Sequence, residues 1–295
     1  WQFMPPSIRN LIPEYVWGGL FPFAEQAATV DGVRYAIPFQ VDILFLAYNT
    51  SLVSEPPLTW QGLPGIKAGY IFPMARSDGS AADQFLLQYL AQGGELGIQP
   101  YHLDAEIVAG VLQNYHSAME WGAIPETVRG LGTLDDCWAI YVAGNVGMTN
   151  VDSRQYQRDR AKLTRTRYSR IPTLSGKQIT LARSWGWAIV ATNPMRQELA
   201  AEYITAAVQK DHLASWATEA AHLPTYPEVL ESVIEDKEYQ GFLEEQLQHA
   251  YPYPSAKGYP RVQEAIMRAI EDVLDGVSTP ERAAATAAAM VARIE

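Results

Sequence analysis

The stretch Gly32–Val53, GVRYAIPFQVDILFLAYNTSLV, constrains this chain more than any other segment. Arg34–Ile37 reads as a short strand that stops at Pro38, because proline has no N–H to give a ladder. The polar triplet Gln40-Val41-Asp42 follows, and a second apolar run, Ile43–Tyr48, closes at Asn49. Two strands broken by a polar, proline-marked corner are what a chain needs where it crosses between lobes. The expectation is that the chain switches sides at Pro38 and leaves Asp42 beside a gap.

Length agrees with two lobes. A chain of 295 residues buries a large core, and at that size two bodies are favoured over one. With 48% hydrophobic and 19% charged residues it is an ordinary globular composition, not a disordered one. The net charge of −11 disfavours nonspecific binding to nucleic acid or to an anionic membrane. The single cysteine, Cys137, excludes an internal disulfide and a thiolate metal cluster. It leaves export open, because a large core folds without staples. No apolar run approaches the roughly 20 residues that span a bilayer. The start, Trp1–Pro6, has neither an initiator Met nor a basic-then-apolar signal. The chain therefore reads as a piece of a longer precursor, with room ahead of it for a cleaved signal or a lipid anchor.

Strands and helices alternate along the chain, and the tail is helical. Ala68–Phe72 reads as a strand stopped by Pro73, and Ala81–Ala91 as a helix ended by Gly93-Gly94. Asp104 caps a helix that runs to about Trp121, and Leu134–Val142 is a further helix before the strand Val146–Val151. Ile179–Leu181 and Trp187–Ala191 look like two more strands. From Pro194 onward helices dominate, the last opening on Thr279-Pro280. This pattern predicts an α/β protein.

Enzyme motifs are missing. The five histidines, His102, His116, His212, His222 and His249, form no HExxH and no ligand pair at helical spacing. There is no G-x-S-x-G turn and no phosphate-cradling glycine loop. Asp135-Asp136 and the many glutamates could supply a glycosidase pair, but carboxylates so abundant carry no information without geometry. No cofactor is expected.

Five blocks, in order, resemble the bacterial extracellular solute-binding proteins of family 1, the maltose-binding-like receptors of sugar importers. The corner comes first, with Tyr48-Asn49 followed by Thr59-Trp60. A strand and a helix ending at Gly93-Gly94 follow. Ala143–Thr149 is third, with Gly147 where the family usually has alanine. The fourth runs from Ile171-Pro172-Thr173 through Ser184–Ile189 to Asn193-Pro194 and Glu198-Leu199-Ala200. Tyr259 to Gly276, then Thr279-Pro280-Glu281, closes the series. The resemblance implies a type II periplasmic-binding-protein-like α/β fold with two lobes joined by a hinge. The family opens with a strand–helix–strand unit that nothing before Trp17 resembles, so the first lobe is expected to be incomplete. Lobe boundaries are expected at about 1–42 with 188–235, and at 45–185 with 240–295.

The resemblance also implies a nonenzymatic function: a sugar or oligosaccharide held in a cleft between the lobes, outside the cytoplasm, with a lipid anchor as one way of keeping the protein there. The partners are then the solute and the membrane permease of an ABC importer, and the protein is a monomer. A solute-sensing module of a signalling protein, or a carbohydrate-active enzyme, are the alternatives. Asp42 falls where a carboxylate meets a sugar hydroxyl, with Gln40 beside it; a hinge carboxylate capping backbone amides is the other reading. Trp185 and Trp187 flank Gly186 and, on a strand, point to one face, where they either stack on a pyranose or pack in the core. Asp83, with Ser80 and Gln84, opens a helix where it either holds hydroxyls or caps. Arg154 or Tyr156 takes the place of a sugar-stacking aromatic, an arginine favouring an anionic ligand. Tyr259, near Tyr251 and Tyr253, is either a recognition aromatic or rim packing.

Overall fold

The computed structural model describes residues 11–97, 101–254 and 256–294. The opening Trp1–Pro6 segment read above for a targeting signal lies outside the described residues. The strands are β1 (Thr29–Val30), β2 (Val33–Arg34), β3 (Ile37–Asn49), β4 (Tyr70–Ile71), β5 (Met148–Asp152), β6 (Thr166–Ser169), β7 (Thr180–Trp187), β8 (Leu223–Pro224) and β9 (Ala250–Pro252). The helices are α1 (Glu14–Trp17), α2 (Pro22–Ala28), α3 (Ser80–Ala91), α4 (Ala105–Glu120), α5 (Leu134–Val142) and α6 (Ser153–Asp159). Beyond them come α7 (Pro194–Ala207), α8 (Lys210–Ala220), α9 (Pro227–Val233), α10 (Lys237–Gln248), α11 (Tyr259–Leu274) and α12 (Pro280–Val291).

The chain divides into two units. The first takes the chain up to Leu44, then Asp152–Ala161 and Thr180–Tyr253; the second takes Phe45–Val151, Lys162–Ile179 and from Pro254 on. The expected lobes put 180–185 and 240–253 with the second unit and had no place in the first for the short excursion 152–161.

In the first unit, β7 runs antiparallel to the N-terminal half of β3, β9 runs parallel to β7, and β8 adds to β3 at Gln40 and Val41. Helices α7, α8 and α9 cover a core of Ile37, Ile189, Ala201, Ile204, Leu213, Tyr226 and Val229. In the second unit, β5 lies between β4 and β3, and β6 pairs with Leu46–Asn49. Helix α11 buries Val262, Ala265, Ile266, Ala269, Ile270 and Val273, an i, i+3, i+4 stripe. It packs on α3, α4 and α12. Trp60 stacks on Tyr115 at 5.2 Å, with Phe72 and Phe85 edge-on around the same tyrosine or tilted beside the indole.

Two expectations about strands need correction. Pro38 does not stop the first strand: β3 runs through it to Asn49. A register shift between Pro38 and Gln40 forms a bulge that absorbs the missing N–H, and the Pro38 carbonyl accepts from Thr225 Oγ1 at 2.9 Å. The passage from one unit to the other therefore falls inside the strand, at Leu44–Phe45. Likewise, Ile179–Leu181 and Trp187–Ala191 are not two strands but the region of one, β7, which ends at Trp187. The polar Arg183-Ser184 lies within β7, in the partly solvated stretch of an antiparallel strand. Helix limits follow the caps. Asp104 accepts from the N–H groups of Glu106 and Ile107, and Thr133 with Asp136 makes a full capping box on α5.

Candidate ligand-binding site

The first unit gathers polar and indole groups on one part of its sheet. Gln40 and Asp42 are two residues apart on β3 and so share a face. Across the ladder, Gln40 pairs with Trp185 and Asp42 with Arg183. Trp185 is thus set beside Gln40 by register alone. Trp185 as a whole keeps 39% of its surface exposed.

Asp42 is held by two neighbours. His222, immediately before β8, brings Nδ1 to 2.8 Å from Asp42 Oδ1. Ser153, first residue of α6, makes a long 3.5 Å contact to the same oxygen and accepts from the Ile43 N–H at 3.2 Å. The Asp42 and His222 side chains retain 13% and 8% of their surface, so the pair is largely desolvated. The turn that delivers His222 is unusual. Ala221 ends α8 with φ 57°, a left-handed conformation that costs an L-residue about 1–2 kcal/mol. Trp185 lies over the imidazole with ring centres 5.3 Å apart and planes at 58°.

Aromatic rings continue along the unit. Trp216 on α8 donates its Nε1–H to Gln40 Oε1 at 2.5 Å and meets Phe39 edge-on at 5.9 Å. Phe39 stacks on Trp187 at 5.2 Å, and Trp187 meets Tyr203 of α7 at 5.9 Å. Trp187 and Trp216 remain 36% and 49% exposed. Of the residues singled out in the sequence, Gln40, Asp42, Trp185 and Trp187 therefore come together in the first unit.

The others do not join this cluster. Tyr156 on α6 is buried against the ring of Tyr239 at 5.4 Å, while Arg154 stands exposed one residue after Ser153. Asp83 and Tyr259 belong to the second unit and are both buried. There Tyr259 donates its hydroxyl to Asp83 Oδ1 at 3.0 Å and Gln263 donates to the same oxygen at 2.9 Å. Asp83 thus ties α3 to α11. Three members of the first-unit cluster, Ser153, Trp216 and His222, carried no sequence signal. The histidines were weighed only as metal ligands, and among the described residues no group of three His, Cys, Asp or Glu is placed to hold a metal ion.

An α/β chain with a mixed sheet, a shared strand and this polar, indole-rich face is similar to known receptors at two levels. A sequence profile of the bacterial extracellular solute-binding proteins matches residues 15–241, and the chain belongs to that family. A maltotriose-binding protein of Pyrococcus abyssi is 32% identical over 76 residues, which make up 24% of this chain and 17% of that protein. The match thus spans under a fifth of the curated relative. Among solved structures, a cyclic α-maltosyl-1,6-maltose binding protein from Arthrobacter globiformis superposes with a TM-score of 0.81 at 20% identity, over 98% of this chain and 79% of that one. A maltose-bound MalE3 of T. maritima gives 0.79 at 19% identity, over 97% and 81%. These likenesses fix the fold as that of the maltose-binding-like periplasmic binding proteins.

Proposed function

We propose that the chain is the extracytoplasmic binding component of an ABC importer, nonenzymatic, with a sugar or oligosaccharide as its solute. The observation that carries this reading is the cluster of Asp42, Gln40, Trp185 and Trp187 on one face of the first unit. A carboxylate and an amide accept and donate to hydroxyls, and an exposed indole offers a flat apolar surface to the C–H face of a pyranose. Such a mixture of aromatic surface and few oriented polar groups is the chemistry of small-solute sites. The Arthrobacter and T. maritima proteins, named for bound maltosyl sugars, support a glucan-type solute. A membrane permease as partner follows from the family, and a lipid anchor would keep the receptor beside it. Among the described residues no helix is long and apolar enough to cross a membrane.

A thermal-shift screen with glucose, maltose, maltotriose, cyclodextrins and a set of unrelated monosaccharides tests the proposal. A ligand that binds only the native state stabilises it by RT ln(1 + [L]/Kd), about 2.7 kcal/mol at a hundredfold excess over Kd. One or more sugars are expected to raise the melting temperature by several degrees and to be recovered intact after incubation. A flat response to the whole panel overturns the sugar reading, and hydrolysis of any sugar overturns the nonenzymatic one.

A further inference from the structure

His222 has no place in the reading so far, and its surroundings give it one. An ionised carboxylate only accepts hydrogen bonds, so the 2.8 Å contact to Asp42 Oδ1 puts a proton on His222 Nδ1. In the neutral ring that leaves Nε2 as an acceptor with its lone pair unspent. Among the described residues nothing bonds Nε2, and nothing bonds Asp42 Oδ2 either. Neither atom is sealed off: the fully buried side-chain N and O atoms without partners lie elsewhere. Trp185 covers the imidazole at 5.3 Å and keeps a broad exposed surface of its own. The left-handed turn at Ala221 aims this one side chain back onto β3.

We propose that His222 is a ligand-reading residue of the sugar site, accepting a hydroxyl hydrogen bond at Nε2. Asp42 is then a positioning residue as well as a contact: Oδ1 fixes the tautomer of His222, and Oδ2 accepts from a neighbouring hydroxyl. Two acceptors carried on one bonded pair, with an indole alongside, suit a neutral solute that presents two hydroxyl donors beside an apolar ring face. They do not suit an anionic sugar, whose carboxylate would bring a negative charge up to Asp42. This rests on the sugar-binding reading above and narrows it.

The test uses the full chain with 15N-labelled histidine and maltotriose as the probe. A two-bond 1H–15N correlation spectrum of the free protein is expected to show His222 as the Nδ1–H tautomer, and His222→Gln identifies its signals by their loss. On adding maltotriose, the Nε2 resonance is expected to shift while Nδ1 stays. In calorimetric titrations His222→Ala should weaken binding about tenfold, the scale of one well-made hydrogen bond in a dry site. His222→Gln, which carries an amide to the same place, should recover most of the loss. Asp42→Asn should erase the tautomer preference. Binding of maltotriose with an unmoved Nε2 signal, or with unchanged affinity in both His222 variants, overturns the proposal. An Nε2–H tautomer in the free protein overturns it without any ligand. Failure of every sugar to bind sinks the sugar reading instead, with the tautomer result still deciding whether the pair is built as described.

Discussion

Trp60 shows how much a single side chain can hold. Its ring lies nearly parallel to Tyr115, its Nε1–H donates to the Pro172 carbonyl at 2.9 Å, and 2% of it is exposed. Trp60→Ala is expected to cost about 3–5 kcal/mol in urea unfolding, from lost burial and the cavity left behind. Gly147 explains itself in the same way. A Cβ there would sit 2.5 Å from that of Ala68 and 2.9 Å from Val53 Cγ2. The alanine usual in the family at this place would be overpacked here, and Gly147→Ala should destabilise by about 1–3 kcal/mol. Cys137 gives a chemical check. Burial pushes its thiol up to about 12, and thiolate is the reactive form. An aromatic disulfide reagent at pH 8 should leave native protein unmodified and label it once on unfolding; prompt native labelling would contradict the burial. The Asp42–His222 pair was the residue-scale feature that sequence reading could not reach. The partners stand 180 positions apart, and an isolated histidine before Leu-Pro has no periodicity to betray it.

Elements with explicit ends were legible. Asp104 and Thr279 each bond the backbone they were expected to cap, while the helix expected at Leu134–Val142 opens on a capping box at Thr133 that was not foreseen. Thr133→Ala should lower stability by about 1 kcal/mol, and an intact melting curve would count against the capping box. Strands were less legible: Pro38 looks like a break until a bulge accommodates it, and the single strand β7 spans the gap left between the two strands expected at Ile179–Leu181 and Trp187–Ala191. Helix α7 carries an opposite kind of ambiguity. Met195, Leu199 and Tyr203 repeat every fourth residue and are mostly exposed, whereas Ala201 and Ile204 hold the helix to its core. Leu199→Lys is expected to change the melting temperature little, while Ile204→Ala should cost about 2–5 kcal/mol. Equal losses would mean that the stripe is covered in solution.

For the molecule as a whole, order in sequence and order in space part company. The α/β class and the family resemblance were readable because blocks of local pattern survive in sequence. The first passage was expected between 42 and 45 and lies at Leu44–Phe45, whereas the excursion 152–161 was not foreseen, because its start falls inside β5 and its end inside a short helical turn at Arg160–Lys162. The chain passes between them at 44/45, 151/152, 161/162, 179/180 and 253/254. A chain ending before Ala250 lacks β9, the parallel neighbour of β7, and is expected to lose its cooperative thermal transition by circular dichroism. A sharp transition in that truncation would mean the first unit needs less of the chain than its ladder implies.

The same weaving sets a timetable for synthesis. A ribosome delivers β3 early and β9 about two hundred residues later, a wait of roughly 10–40 s at ordinary elongation rates. For most of that interval Ile37 lacks Ile189, Ile204 and Val229, Val41 lacks Leu223, and β7, once made, still lacks its parallel neighbour. A newborn chain of this kind would be a natural client for holding chaperones until its last strand arrives.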